Sequence, residues 1–168
     1  LFVPGSEVRE RLARKAEDYH SLDIIVFAKR SLGYQPFSLS PSARVIPTNS
    51  KGAWSYLIDA YQLGKSLASP DLVTAQDPFE TGLVGAWLAR FHRSKLQLQI
   101  HTDFLNPYFR RQSWKNKLRL HLASYLLPRA DLIRVVSGRI ASSLKNTSLT
   151  LKAPITIEPV KIDLEKIK

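Results

Sequence analysis

Between Asp71 and Asp103 the apolar positions change their period twice. Asp71-Leu-Val-Thr-Ala-Gln is a short apolar run of strand type, broken by Asp77-Pro78. From Thr81 to Phe91, the residues Leu83, Val84, Trp87, Leu88 and Phe91 recur at helical spacing and make one apolar face. Leu96, Leu98 and Ile100 then alternate with Gln97 and Gln99, a strand signature. Strand, helix and strand with short joints predict a βαβ unit whose strands are parallel. Its strands end in Gln76-Asp77 and in His101-Thr102-Asp103. In open parallel sheets ligands bind just past such carboxyl ends.

The rest of the chain repeats this plan. Glu7 to Tyr19 reads as a helix that Ser6 can cap, with Val8, Leu12, Ala13 and Ala16 as its buried stripe. Asp23-Ile-Ile-Val-Phe-Ala reads as a strand buried on both faces, and 29–41 as a loop. Ala43 to Thr48 is a short strand that Pro47 stops or marks as a sheet edge. A helix over 53–67 carries Trp54, Leu57, Ile58, Tyr61 and Leu67 on its apolar side. After the central unit, 104–113 reads as a loop and 114–127 as a helix ended by Pro128. Asp131 to Val136 is a strand, Arg139 to Lys145 a short helix, and Ile155 to Glu158 a last strand. The opening Leu1-Phe-Val reads as the tail of a strand that starts ahead of Leu1. Alternating β and α predict an α/β fold: a Rossmann-like, doubly wound, mostly parallel sheet of about six or seven strands with helices on both faces. The polar strand ends, from Pro4-Gly5-Ser6, Lys29-Arg30 and Thr48-Asn49 to Ser137-Gly138, are expected along one edge of that sheet.

With 168 residues the chain can bury a real core. It has no cysteine, which excludes disulfides and thiolate chemistry, and its four histidines show no zinc spacing. No apolar run approaches the roughly 20 residues that span a bilayer, and no signal peptide is visible, so a cytoplasmic location is the expectation. Charge changes the picture more. Residues 1–84 carry nine Lys/Arg and nine Asp/Glu, whereas 85–168 carry sixteen against five, so the whole net charge of +11 sits in the second half. That asymmetry suggests an anionic partner: nucleic acid, a phosphorylated ligand or a membrane surface.

The helix over 114–127 is where such a partner could act. Trp114, Leu118, Leu122 and Tyr125 form its larger apolar stripe, and Leu120, Ala123 and Leu127 a smaller one opposite. Lys115 and Arg119 flank the larger stripe on one side, Lys117 and Arg110 on the other, with Arg111 beside them. A helix on a sheet needs one stripe, and the larger is expected to be core. The remaining stripe could meet lipid while the basic stems snorkel to phosphates.

Candidate chemistry is sparse. Pro4-Gly5-Ser6 before a helix could hold a phosphate or sugar hydroxyl on backbone N–H groups, or be no more than a turn with an N-cap. No GxGxxG or Walker signature is present. His101, closing a strand, can donate to a sugar hydroxyl or phosphate oxygen, and Asp103 can orient it or accept from a hydroxyl. The alternative for His101 is a core histidine bonded to backbone. Asp77 before Pro78 is either a ligand contact or an ordinary turn residue, and Glu80 suits the start of the following helix.

Taken in series, Asp71-Leu-Val-Thr-Ala-Gln-Asp-Pro-Phe-Glu-Thr-Gly, Gln99-Ile-His-Thr-Asp-Phe, Ala130-Asp-Leu-Ile-Arg-Val-Val-Ser and Ile157-Glu-Pro-Val-Lys-Ile-Asp resemble the N-terminal, acceptor-side domain of GT-B-fold glycosyltransferases of the retaining family 4 type. The resemblance implies a Rossmann-like domain over 1–156 and, over 157–168, the start of a linker to a C-terminal donor-binding domain absent here. It implies transfer of a sugar from a nucleotide-sugar to a glycan, lipid-linked or phosphorylated acceptor, without a metal or other cofactor. His101 matches the family's cleft histidine, Gly5 with Pro4 and Ser6 its glycine-containing loop, and Asp77, Asp103 and Ser137 its cleft-facing strand ends. The family's usual paired glycines are reduced to Gly5. This piece alone is expected to be inactive. The basic half fits members that work peripherally on the inner face of the cell membrane, with Arg110, Arg111, Trp114, Lys115, Lys117 and Arg119 as the anion or membrane contact. The competing expectation is a non-catalytic basic module that binds nucleic acid or an anionic surface.

Overall fold

The computed structural model describes residues 1–159, so the expected linker over 157–168 lies mostly outside the described residues. The chain forms two compact units, Leu1–Leu67 and Ala68 onward. The expected sheet of six or seven strands is not one sheet. Seven strands among the described residues divide between a sheet of three and a sheet of four.

In the first unit, helix α1 (Glu7–Ala16) is followed by β1 (Leu22–Val26), β2 (Phe37–Ser40), β3 (Ala43–Pro47) and α2 (Tyr56–Lys65). The sheet order is β1-β3-β2, with β1 and β3 parallel and β2 antiparallel to β3. Strand β2 lies in the stretch expected to be loop. Its Phe37-Ser-Leu-Ser alternation is a strand pattern, but the surrounding prolines and serines outweigh it in a reading by composition. Asp23 and Arg44 pair across the β1–β3 ladder. Residues 1–3 are not a strand; Phe2 stacks on Tyr34 with ring centroids 4.0 Å apart. Ser6 has the extended backbone of an N-cap, but its hydroxyl makes no cap bond. The expected apolar side of α2 is only partly the packed one: Leu57 and Tyr61 are half-buried beside Ala60 and Gly64, but Trp54 and Ile58 are not. Trp54 precedes the helix and is 93% exposed, Ile58 is exposed, and α2 buries Ala60 and Gly64.

In the second unit, the parallel sheet runs β4 (Leu72–Ala75), β5 (Lys95–Ile100), β6 (Leu132–Val135) and β7 (Ile155–Ile157), in that spatial order. Helix α3 (Glu80–His92) joins β4 to β5, α4 (Pro107–Gln112) and α5 (Trp114–Leu126) join β5 to β6, and α6 (Gly138–Lys145) joins β6 to β7. A sheet that grows strand by strand in one direction through right-handed crossovers collects its helices on one face. One core shows it: Ala75, Leu96, Leu98, Ile100, Ile133 and Val135 cluster with side chains of α3, α5 and α6. Winding within this unit is therefore one-sided. The alternate residues point to the other face and form a polar ladder. Gln99 Nε2 donates to Thr74 Oγ1 (2.9 Å), Thr74 Oγ1 donates to Gln97 Oε1 (3.0 Å), and Arg134 Nη1 donates to Gln99 Oε1 (3.0 Å). Arg134 also pairs with Glu158. Gln99, though buried, is thus satisfied.

Helix α4 was not expected, yet Asn106 caps it by accepting from Tyr108 N and Pro107 opens it. Asn116 Nδ2 ties α4 to α5 by donating to Phe109 O at 2.9 Å. The orientation of α5 is the reverse of the expected one. Ala123 and Leu126 are buried and Leu120 packs on the core, whereas Trp114, Leu118 and Tyr125 are exposed. Small Ala123 lets the helix pack closely on α3 and the core, which the bulk of Trp114 and Tyr125 would prevent.

Entry into α3 is held by the β4 turn. Asp77 Oδ1 accepts from Phe79 N at 2.8 Å, and Asp77 N donates to Thr81 Oγ1 at 3.1 Å. A Cβ added at Gly82 would lie 2.7 Å from the carbonyl oxygen of Asp77. Gly82→Ala is therefore expected to destabilise by about 1–3 kcal/mol in urea titrations, as overpacking against backbone does. Gly138→Ala, with nothing within 4 Å of the new Cβ, should be neutral or stabilising by up to about 1 kcal/mol. Asp77→Ala should cost about 1 kcal/mol through the lost turn bond, and Asp77→Asn, which keeps the accepting oxygen, should cost clearly less.

Candidate functional site

The carboxyl ends of β4 and β5 open onto a pocket of about 260 Å³. Its polar lining is Gln76, Asp77, His101, Thr102 and Arg119, and its apolar lining includes Phe79, Phe104 and Phe109. Each arrives by a local rule. The Asp77 turn ends β4, His101 and Thr102 follow the last ladder residue of β5, and Arg119 reaches in from α5.

The three phenylalanines pack together as a floor. Phe79 meets Phe104 edge-on at 5.4 Å and stacks near-parallel on Phe109 at 5.8 Å. The Arg119 guanidinium lies 5.5 Å from the Phe79 ring centroid. Its Nε donates to both carboxylate oxygens of Glu80, at 2.9 and 3.1 Å. Arg119 is thus oriented and half-neutralised, and stands apart from the exposed Arg110, Arg111, Lys115 and Lys117 with which the charge pattern grouped it. His101 is exposed at the pocket wall and so is not a core histidine. Asp77 lines the pocket and also serves the turn, so both readings of it hold together.

Other expected residues have local duties. Asp103 meets α6, accepting from Ser143 Oγ at 3.5 Å and lying 3.6 Å from Arg139 Nε. Ser137 caps α6 by accepting from Ile140 N. Pro4, Gly5 and Ser6 belong to the first unit, where Gly5 has φ +71° in a tight turn. The Thr48-Asn49 strand end is likewise structural: Thr48 Oγ1 accepts from Ala28 N, and Asn49 Nδ2 donates to Tyr34 O. Phe79, Phe109 and the Glu80–Arg119 pair were missed as site components. Phe79 had a signal in the sequence, being next to Asp77-Pro78, but the partners of Phe79 lie about 25–30 residues away.

The arrangement can stack the apolar face of a small ring on the phenylalanines while imidazole and guanidinium donate to its oxygens. Among the described residues no three His, Asp or Glu are grouped to hold a metal ion, and no helix is long and apolar enough to cross a membrane.

Comparison with known proteins places these features. A search of curated proteins finds no match. The crystal structure of Anabaena HepE in complex with UDP and glucose is similar, with a TM-score of 0.60 at 19% identity. The match covers 98% of this chain and 43% of the HepE chain, so this chain spans less than half the length of that protein. The likeness establishes a shared Rossmann-like fold. The profile of glycosyltransferase family 4 matches residues 7–166, nearly the whole sequence, and the chain therefore belongs to glycosyltransferase family 4.

Proposed function

We propose that this chain is the acceptor-binding half of a retaining glycosyltransferase that moves a hexosyl group from a nucleotide-sugar to a glycan, lipid-linked or phosphorylated acceptor. The observation that carries the reading is His101, exposed on a pocket at the carboxyl edge of a parallel sheet in a family 4 chain. The bound UDP and glucose of HepE support a nucleotide-sugar as donor, and the share of HepE that the chain covers supports a second, donor-binding domain beyond the linker over 157–168. The nucleotide-sugar is then a co-substrate, and no cofactor or metal takes part.

In this reading the bond from the anomeric carbon to the diphosphate breaks, a bond to the acceptor oxygen forms, and the acceptor proton leaves with the diphosphate. His101 donates to a sugar oxygen beside the anomeric carbon and holds the ring as positive charge develops there. Gly5 offers its backbone N–H to the leaving diphosphate, with Pro4 and Ser6 shaping the turn that presents it. Asp77 and Arg119 bind acceptor oxygens over the phenylalanine floor. Asp103 and Ser137 act as positioning residues by holding α6 against the sheet edge. The enzyme works on the cytoplasmic side, peripherally on an anionic membrane where its acceptor resides.

Residues 1–168 alone should transfer nothing. In the enzyme with its donor domain, His101→Ala should lower kcat by about 100-fold while near-UV circular dichroism stays unchanged. Turnover equal to the parent would remove His101 from the mechanism.

A further inference from the structure

The strongest feature outside the pocket is the outer face of α4 and α5. Trp114 is 68% exposed, Leu118 54% and Tyr125 53%, and their spacing puts them on one line along α5. The opposite side of the same helix, through Ala123 and Leu126, is buried in the core. The stripe therefore points away from the unit that carries it. Lys115 and Lys117 stand to its two sides and are exposed. Arg129 closes its far end, with the guanidinium 3.7 Å from the Tyr125 ring centroid. At the near end α4 adds exposed Tyr108, Arg110 and Arg111. Between Asp103 and Asp131 the chain has no acidic residue, and the carboxylate that meets α5, Glu80, is taken up by Arg119.

We propose that this face of α4 and α5 lies in the headgroup layer of an anionic bilayer, with α5 parallel to the surface and Trp114, Leu118 and Tyr125 inserted between flanking cations. The inference rests on the peripheral-membrane reading above and assigns it a surface and an orientation. Charge complementarity selects the occupant. An aliphatic and aromatic line with a lysine on each side suits the boundary of acyl chains and phosphates, where aromatic rings settle and basic stems reach outward. A nucleic acid would use the cations but leave Leu118 facing a polar backbone. A protein partner would have to bury the cations as well as the stripe.

Cosedimentation of the full chain with vesicles of phosphatidylcholine alone, and with about one third phosphatidylglycerol, tests the proposal. Binding is expected only to the anionic vesicles, weakening as salt is raised. Trp114→Ser with Leu118→Ser should reduce it about tenfold or more, and so should the separate variant Lys115→Glu with Lys117→Glu. All four side chains are exposed, so thermal unfolding should be unchanged. Equal, negligible sedimentation with both vesicles would overturn the proposal, as would anionic binding that both variants retain. So would tighter capture of single- or double-stranded DNA through the same residues, or a lipid-free dimer that Trp114→Ser with Leu118→Ser dissociates. No donor or acceptor is present in the assay. Its failure leaves the role of His101 standing, and an unaltered His101→Ala enzyme leaves this surface standing.

Discussion

Right-handed crossovers in a sheet built in strand order govern the second unit. Because β4 to β7 are added one beside the next, every connecting helix falls on the same face and every strand ends at the same edge. The first consequence is the core: one face of the sheet must be continuously apolar, which is why Leu96, Leu98 and Ile100 alternate with glutamine rather than run together. The second is the polar ladder from Thr74 to Arg134, which satisfies the residues that the same alternation sends the other way. The third is the pocket. Two neighbouring strands that end together bring Asp77 and His101 to one place.

Helix packing converts that layout into a shaped site. Gly82 and Gly85 let α3 sit close to the sheet, where a Cβ at Gly85 would come 3.2 Å from that of Ala75. Close approach at Gly82 also presses α3 onto the Asp77 turn. The same economy of small residues orients α5. With Ala123 inward and Leu126 beside it, Arg119 is carried to the pocket and to Glu80, while Trp114 is carried outward. A single rotation of this helix thus decides which of its basic residues belongs to the site and which belong to the outer surface.

Much of this was legible in the order of residues. The period of the apolar positions locates β4, α3, β5, β6 and α6, because burial on one face of a regular element leaves its repeat in the chain. Strand-end position marks Asp77 and His101 as neighbours for the same reason. Two short elements set in stretches that read as loop were lost. Strand β2 is four residues among prolines and serines, and α4 is six, announced only by Asn106-Pro107.

The sequence by itself determined the alternation of strands and helices, the polar carboxyl edge, the family and the uneven charge. Those are local or additive properties, and each residue contributes to them without reference to distant ones. Tertiary structure alone decided that the strands form two sheets, that Asp103 meets Ser143 and Arg139 of α6, that Phe79, Phe104 and Phe109 make one floor, and that α5 buries its smaller stripe. A helix with two apolar stripes is degenerate in sequence. The choice between them is made by steric fit to a surface assembled from other parts of the chain, where a small stripe permits close packing and a bulky one does not.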